Sequence, residues 1–397
     1  ADTFNINTDA RKASLYGGGQ NDLVTIGGSL SSGLVEAGEG ADTVNVANLV
    51  SSTVKGELGN DLFSASAVVS KGALYGNKGN DSFVLDGAAT SASTYGGAGN
   101  DSMLFGAAAN TLTYEGGVGN DSLTVVGAVN SSTIYGDNST ATEGGDDSLD
   151  IAGTASGSYI YGNLGNDSIS VDGGVIASSV YGGSGNDSVW LANGASTASM
   201  IDGGTGNDFL SLGGLSGTSS LLGGVGEDTI TVAGVNTQWL VDAGDNDDTI
   251  QVNLASERST VQGGSGNDSF NISTVSKGLV EGGVGDDTIK VTDKGVTSAS
   301  LKAGVGDDLM SITGGITDGS LFGGTGNDSF DFTGGKFTGL VDVGSGADSV
   351  YLDATEGDSI TLTGSLTNTS LNAGGGADSI LIKANMDSAS IVGGAAA

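Results

Sequence analysis

The 397 residues carry a net charge of −35 with only 12 Lys and Arg, which excludes a phosphate-tracking nucleic-acid surface and favours cations instead. There is no Cys and no His, so disulfides, thiol redox chemistry and the commonest general base and transition-metal ligand are all excluded. Gly contributes 74 residues without a Gly-X-Y period and without Pro, so neither collagen nor disorder fits, and no apolar run is long enough to span a membrane as a helix.

The chain opens inside a turn: Ala1-Asp-Thr-Phe-Asn-Ile6 matches Ala41-Asp-Thr-Val-Asn-Val46. From there one phrase, Gly-Gly-x-Gly-Asn-Asp, returns along the whole length and is complete at, among other places, 96–101, 116–121 and 182–187. Almost every recurrence is 19 to 21 residues from the last. Such a period is the signature of stacked structural repeats.

Within a repeat, apolar residues alternate after the Asp, as in Met103 and Phe105, Leu123 and Val125, and Ile169 and Val171. Alternate residues of a strand share a face, so these columns line an interior. A second strand precedes each Gly pair, with Leu15, Val35, Leu74, Ile134, Val180 and Leu321 pointing inward. Two residues earlier the column is small, as at Ala13, Ser52, Ala92, Ser178, Ser219 and Ala299, which suits a narrow corner; Trp239 breaks it without explanation. A third apolar position, at Leu30, Val50, Val69, Val129, Val175 and Ile316, leaves the cross-section open between flat and triangular.

These patterns predict an all-β fold: a right-handed parallel β-solenoid, or β-roll, with one Gly-Asp turn per coil and no helix. About 20 coils of about 20 residues, rising roughly 4.8 Å each, give a length of about 90–95 Å. Residues 1–397 read as one continuous domain. Extra residues within Gly136–Asp147 predict a turn insertion near 137–145. Residues 350–357 read as an excursion, with Asp358-Ser-Ile-Thr-Leu362 resuming the register of the first strand. The last turn begins at Ile391-Val-Gly-Gly394, and neither end carries a polar cap; this predicts a piece of a longer chain or subunits continuing end to end.

The Gly-rich turns expose carbonyl oxygens on one edge, and the Asp adds a carboxylate. Ca2+ takes six to eight hard oxygen ligands, which two adjacent turns can supply together. The expected ligands are Asp22, Asp42, Asp61, Asp81, Asp101, Asp121, Asp147, Asp167, Asp187, Asp208, Asp228, Asp248, Asp268, Asp287, Asp308, Asp328, Asp348, Asp358 and Asp378. In register they would sit about 5 Å apart, and like charges so close require protons or cations. One divalent ion in each gap would bring the chain close to neutrality. A plain turn explains the fifth position, which varies among Asn, Ala and acidic residues. It does not explain why the sixth is Asp throughout. Gln20, Glu57 and Asn77 replace turn glycines and mark less certain sites.

Gly96-Gly-Ala-Gly-Asn-Asp-Ser-Met-Leu104 and Gly182-Gly-Ser-Gly-Asn-Asp-Ser-Val-Trp190 resemble the nonapeptide of the repeats-in-toxin (hemolysin-type) calcium-binding family. The resemblance covers the whole chain. It implies secretion into calcium-rich surroundings, a bacterial extracellular or cell-surface location, and folding on arrival. Family rolls carry the nonapeptide on both edges of a coil, whereas this chain carries it on one, so a single file of ions is expected. With repeats throughout and no catalytic domain, the chain is most similar to S-layer proteins and to oscillin-like surface glycoproteins of gliding cyanobacteria.

Tyr75, Tyr95, Tyr135, Tyr161 and Tyr181 recur on the outer face just before the turn. They suit either cross-strand stacking or a ladder for a partner protein or surface glycan. No pair of carboxylates stands out as a catalytic pair, so no enzyme is expected. The reading is a secreted structural protein, stabilised by Ca2+, that assembles with copies of itself into a cell-surface layer, sheath or fibril. The alternative is a calcium-binding spacer or binding module of a large secreted adhesin or toxin.

Overall fold

The alternation in each repeat folds into strands, the strand pairs are parallel, and no helix occurs among the described residues. The computed structural model describes residues 1–140, 142–192, 196–234, 238–253, 258–353, 358–367, 369–372, 379–383 and 385–392. These make a parallel β-solenoid of about 18 turns with about 20 residues per turn. Two units, Ala1–Thr205 and Gly206–Ala397, divide the chain.

In the first unit one turn consists of Ser102–Phe105, Ala109–Asn110 and Thr113–Val118. The next turn repeats it in register: Met103 lies on Leu123, Ala109 on Val129, and Tyr114 on Ile134. The wall is therefore three-sided, and the short middle strand is the third apolar position of the sequence. Its inward residue in the third repeat is Leu49, fully buried, while Val50 beside it faces outward and is half-exposed. The Val50 expectation was off by one residue, because two adjacent apolar residues do not say which one faces in.

The first two glycines and the following residue are not a separate turn but the end of the strand, as in Thr113–Val118. The bend comes at the fourth position, where Gly119 and Gly185 take φ of 122° and 129°. That region is closed to side chains, and a Cβ there would strike the carbonyl of the preceding turn. A second bend, before the strand that carries the tyrosines, uses ordinary residues in the left-handed region: Ser91, Thr111 and Ser131 have φ of 52°, 55° and 49°. In these turns no glycine marks it, although Gly157 takes the same place with φ of 59°.

The small corner column beside that bend is a buried serine ladder. Ser158 Oγ accepts the Ser132 N–H at 3.1 Å and donates to the Ser156 carbonyl at 3.1 Å. Ser178 Oγ accepts the Ser158 N–H at 2.9 Å and donates to the Ile176 carbonyl at 2.9 Å. Small size is half the reason for serine there; the hydroxyl also ties two turns together. The insertion leaves the stack intact, since Ser122–Val125 pairs with Ser148–Ile151 across it.

The second unit follows the same plan until its last turns. Val350–Asp353 is not an excursion: it continues the stack in register, with Phe330 on Val350 and Phe332 on Leu352. Residues 354–357 lie outside the described residues. Ser359–Thr367 then stacks on Phe337–Gly346, with Leu362 on Val341. Asp358–Leu362 thus enters the wall of the second strand, not that of the first as expected. Asp358 follows Asp348 by only half a turn, too short a path back to the same edge. Alternation shows which residues face inward, but not which wall they join.

Candidate metal centre

Each Gly-rich turn delivers its Asp at the start of a strand whose inward residues are apolar, so the carboxylate enters the wall with them. Asp22, Asp42, Asp61, Asp81, Asp101, Asp121, Asp147, Asp167 and Asp187 form a buried file in the first unit. Asp208, Asp228, Asp248, Asp268, Asp287, Asp308, Asp328 and Asp348 do so in the second. All are between 1% and 4% exposed, far below what an ionised side chain usually tolerates.

One oxygen of each carboxylate is used between turns. Asp121 Oδ1 accepts the Asp101 N–H at 2.6 Å, Asp147 Oδ1 the Asp121 N–H at 2.7 Å, and Asp167 Oδ1 the Asp147 N–H at 2.8 Å. Asp268 and Asp287 repeat this in the second unit. The other oxygen, Oδ2, is buried with no hydrogen-bond partner among the described residues at Asp22, Asp42, Asp61, Asp81, Asp101, Asp121, Asp147 and Asp167, and again at Asp248, Asp268, Asp287, Asp308, Asp328 and Asp348. Buried polar groups are nearly always paired, so a whole file of orphaned oxygens requires a cause.

The surroundings supply one. Asp101 Oδ2 and the Gly116 carbonyl oxygen converge on Gly96, so closely that a Cβ on Gly96 would strike both. Asp167 Oδ2 and the Gly182 carbonyl converge on Gly162 in the same way, and Asp328 Oδ2 and the Val343 carbonyl on Gly323. Two acceptors meet with no donor between them, an arrangement that calls for a proton or a cation. Ala37, Ala243, Ala303 and Val343 take the place of this first glycine in their own turns, so the file is not uniform. Among the described residues no three acidic side chains gather around one point, so backbone carbonyls would have to complete any shell.

Burial is the main force on these groups, with neighbouring carboxylates adding to it and the N–H bond opposing it. Asp61 and Asp101 are pushed up to about 6, Asp81 to about 7, Asp121 and Asp167 to about 8, and Asp147 to about 9. In the second unit Asp248 rises to about 8 and Asp328 to about 7. The maximum lies at the insertion. There Asp137 is fully buried, accepting the Gly145 N–H at 3.1 Å and the Leu164 N–H at 2.9 Å, and adds its charge to those of Asp121, Asp147 and Asp167.

One expected ligand, Asp358, does not join the file. Asp358 Oδ1 accepts the Phe337 N–H at 3.0 Å, at the start of the second-strand wall and away from the Gly-Asp edge in which that wall ends. Asp378 lies outside the described residues. A second ladder, whose fifth-position residues were read as turn formers, runs outside the first. Asn80 Oδ1 accepts the Asn100 N–H at 2.9 Å, and Asp307 Oδ1 the Asn327 N–H at 2.7 Å. Here the acceptor lies on the earlier turn, whereas in the Asp file it lies on the later one. The substituted turn positions Glu57 and Asn77 hold the left-handed φ of 82° and 78° that glycine holds elsewhere.

No protein-family model and no curated protein matches the chain. Among solved structures it is similar to a hyperactive, Ca2+-dependent, β-helical antifreeze protein from an Antarctic bacterium, known from an X-ray crystal structure. The identity is 24%, the TM-score is 0.50, and the match covers 73% of this chain and 83% of that one. The likeness is one of fold: a parallel β-solenoid.

Proposed function

We propose that this chain is a calcium-stabilised structural solenoid of the repeats-in-toxin type, secreted and assembled with its own copies into a cell-surface layer, sheath or fibril. The observation that carries the calcium reading is the file of buried Oδ2 atoms, which at turns such as those of Asp101, Asp167 and Asp328 face a carbonyl with no donor between them. An all-oxygen set with carboxylate charge suits a hard divalent cation. The residues that would hold it are the Asp of one turn and the first-position carbonyl of the next, such as Asp101 with Gly116 and Asp167 with Gly182. The cation supplies the positive charge that lets buried carboxylates stay ionised. The Ca2+ dependence of the structural neighbour is consistent with this reading.

The chain's own residues do the remaining work. The backbone N–H of each Asp orients the carboxylate of the next turn, and the Asn ladder fixes the edge from outside. The serine ladder closes the opposite corner. Assembly rests on the sequence reading of a repetitive, highly acidic chain with no feature singled out for catalysis. Electron microscopy of the native material with calcium and with chelator tests the function: an ordered layer or fibre that dissolves in chelator is expected. Dispersed particles in both conditions would count against assembly and favour a calcium-binding spacer.

A further inference from the structure

The outer column of the tyrosine-bearing strand in the first unit contains a gap. Tyr75 and Tyr95 stack with centroids 4.8 Å apart and planes within 8°. Tyr135, Tyr161 and Tyr181 stack at 4.9 Å with planes within 11°. Between the two stacks stands Glu115, in register with Tyr95 on one side and Tyr135 on the other. Inside a stack the ring faces cover one another, and only edges and hydroxyls meet solvent. The two faces left uncovered toward the gap belong to Tyr95 and Tyr135.

Two strand spacings separate those rings, about 9.6 Å, so a group midway would lie about 4.8 Å from each centroid. That is within the roughly 6 Å over which a cation is held by an aromatic face. Glutamate is shorter than tyrosine by a ring, so it leaves the outer part of the slot open and places a carboxylate at its base. Glu115 is partly exposed and has neither an ion-pair nor a hydrogen-bond partner among the described residues. The two other glutamates of this column are paired: Glu36 with Lys55 at 3.0 Å, and in the second unit Glu281 with Lys302 at 3.4 Å.

We infer that Tyr95, Glu115 and Tyr135 form a binding slot for one organic cation of the guanidinium class. A guanidinium is flat, so it takes the place of the missing ring in the stack, and it bonds a carboxylate through two N–H groups. A hydrated metal ion gains little from ring faces, and a neutral sugar gains nothing from the charge. The slot lies outside the buried Asp file and does not depend on the calcium reading.

The test uses the full chain in saturating calcium, with three probes: N-methylguanidinium, a capped Ala-Arg-Ala peptide of the same charge, and neutral N-methylurea. Proton NMR reads the upfield ring-current shift of the probe. A saturable shift is expected for the two cations and none for the urea. Glu115→Gln should weaken binding at least tenfold. Glu115→Tyr, which continues the ladder, should abolish it while circular dichroism stays unchanged. A peptide bound tenfold or more tighter than N-methylguanidinium assigns the slot to a protein's arginine; equal affinity assigns it to a free small cation. A shift that never saturates, or that survives in the folded Glu115→Tyr variant, overturns the proposal.

Discussion

At Asp147 the two carboxylate oxygens meet opposite conditions: Oδ1 accepts the Asp121 N–H, and Oδ2 is buried against the Gly162 carbonyl with no donor. Replacing Asp147 with Asn keeps the first bond and turns the second oxygen into a donor for that carbonyl. Asp147→Asn should therefore raise the melting temperature in chelator at alkaline pH and lower it in calcium. Either change corresponds to about 1–3 kcal/mol, or several degrees in a unit of this size. Thermal unfolding followed by circular dichroism in both conditions checks the crossing; a shift of the same sign in both would contradict it.

The raised groups also set the pH dependence without metal. An unfolded Asp titrates near 3.9, whereas these hold their protons up to about 6 to 9. The folded chain therefore binds more protons than the unfolded one across that window, and stability falls as pH rises. Their favourable contribution is complete below about pH 4 and is lost as pH climbs through about 6 to 9. In chelator the melting temperature should be higher at about pH 5 than at about pH 8.5. In calcium the order should reverse, because a bound cation needs the deprotonated carboxylate. A chelated protein that gains stability with rising pH would refute this account.

Among elements, the strand ends in the Gly-rich edge set the tightest tolerances. At Gly119, φ is 122° and a Cβ would collide with the Gly99 carbonyl, whereas a Cβ on Gly19 meets nothing within 4 Å. Gly119→Ala should cost about 2–4 kcal/mol, and Gly19→Ala should change stability by less than about 0.5 kcal/mol. Equal melting temperatures for the two variants would show that the edge is looser than its geometry. Trp239 obeys no such logic. It sits in the serine corner, 3% exposed, with its indole N–H unpartnered among the described residues, and nothing in the structure explains it.

At the scale of the whole molecule, strands pair with those of the neighbouring turns, and the Asp and Asn ladders tie successive turns in opposite directions. A β-solenoid of this kind gains stability turn by turn. Many glycines raise the entropy cost of ordering each turn. Cations bound only to the folded state lower its free energy by mass action, and many sites multiply the effect. Calcium titrated into chelated protein at about pH 8 should therefore restore β-structure over a narrow concentration range, while magnesium, which demands tighter octahedral geometry, should not. A chain fully folded in excess chelator at that pH would remove the need for ion-templated folding.

The sequence by itself determined the period, the parallel stacking, the inward columns and the edge at which the carboxylates gather. These follow from spacing, because a repeat near 20 residues with two-residue alternation allows few other arrangements. The tertiary structure decided what spacing does not carry. It put Leu49 inside and Val50 outside, moved Asp358 to another wall, and gave the corner serines and the Asn ladder their partners. It also divided carboxylates of the file such as Asp101, Asp147 and Asp328 between one satisfied oxygen and one orphan. Register and hydrogen-bond direction depend on the neighbouring turn, so they exist only once the turns are stacked.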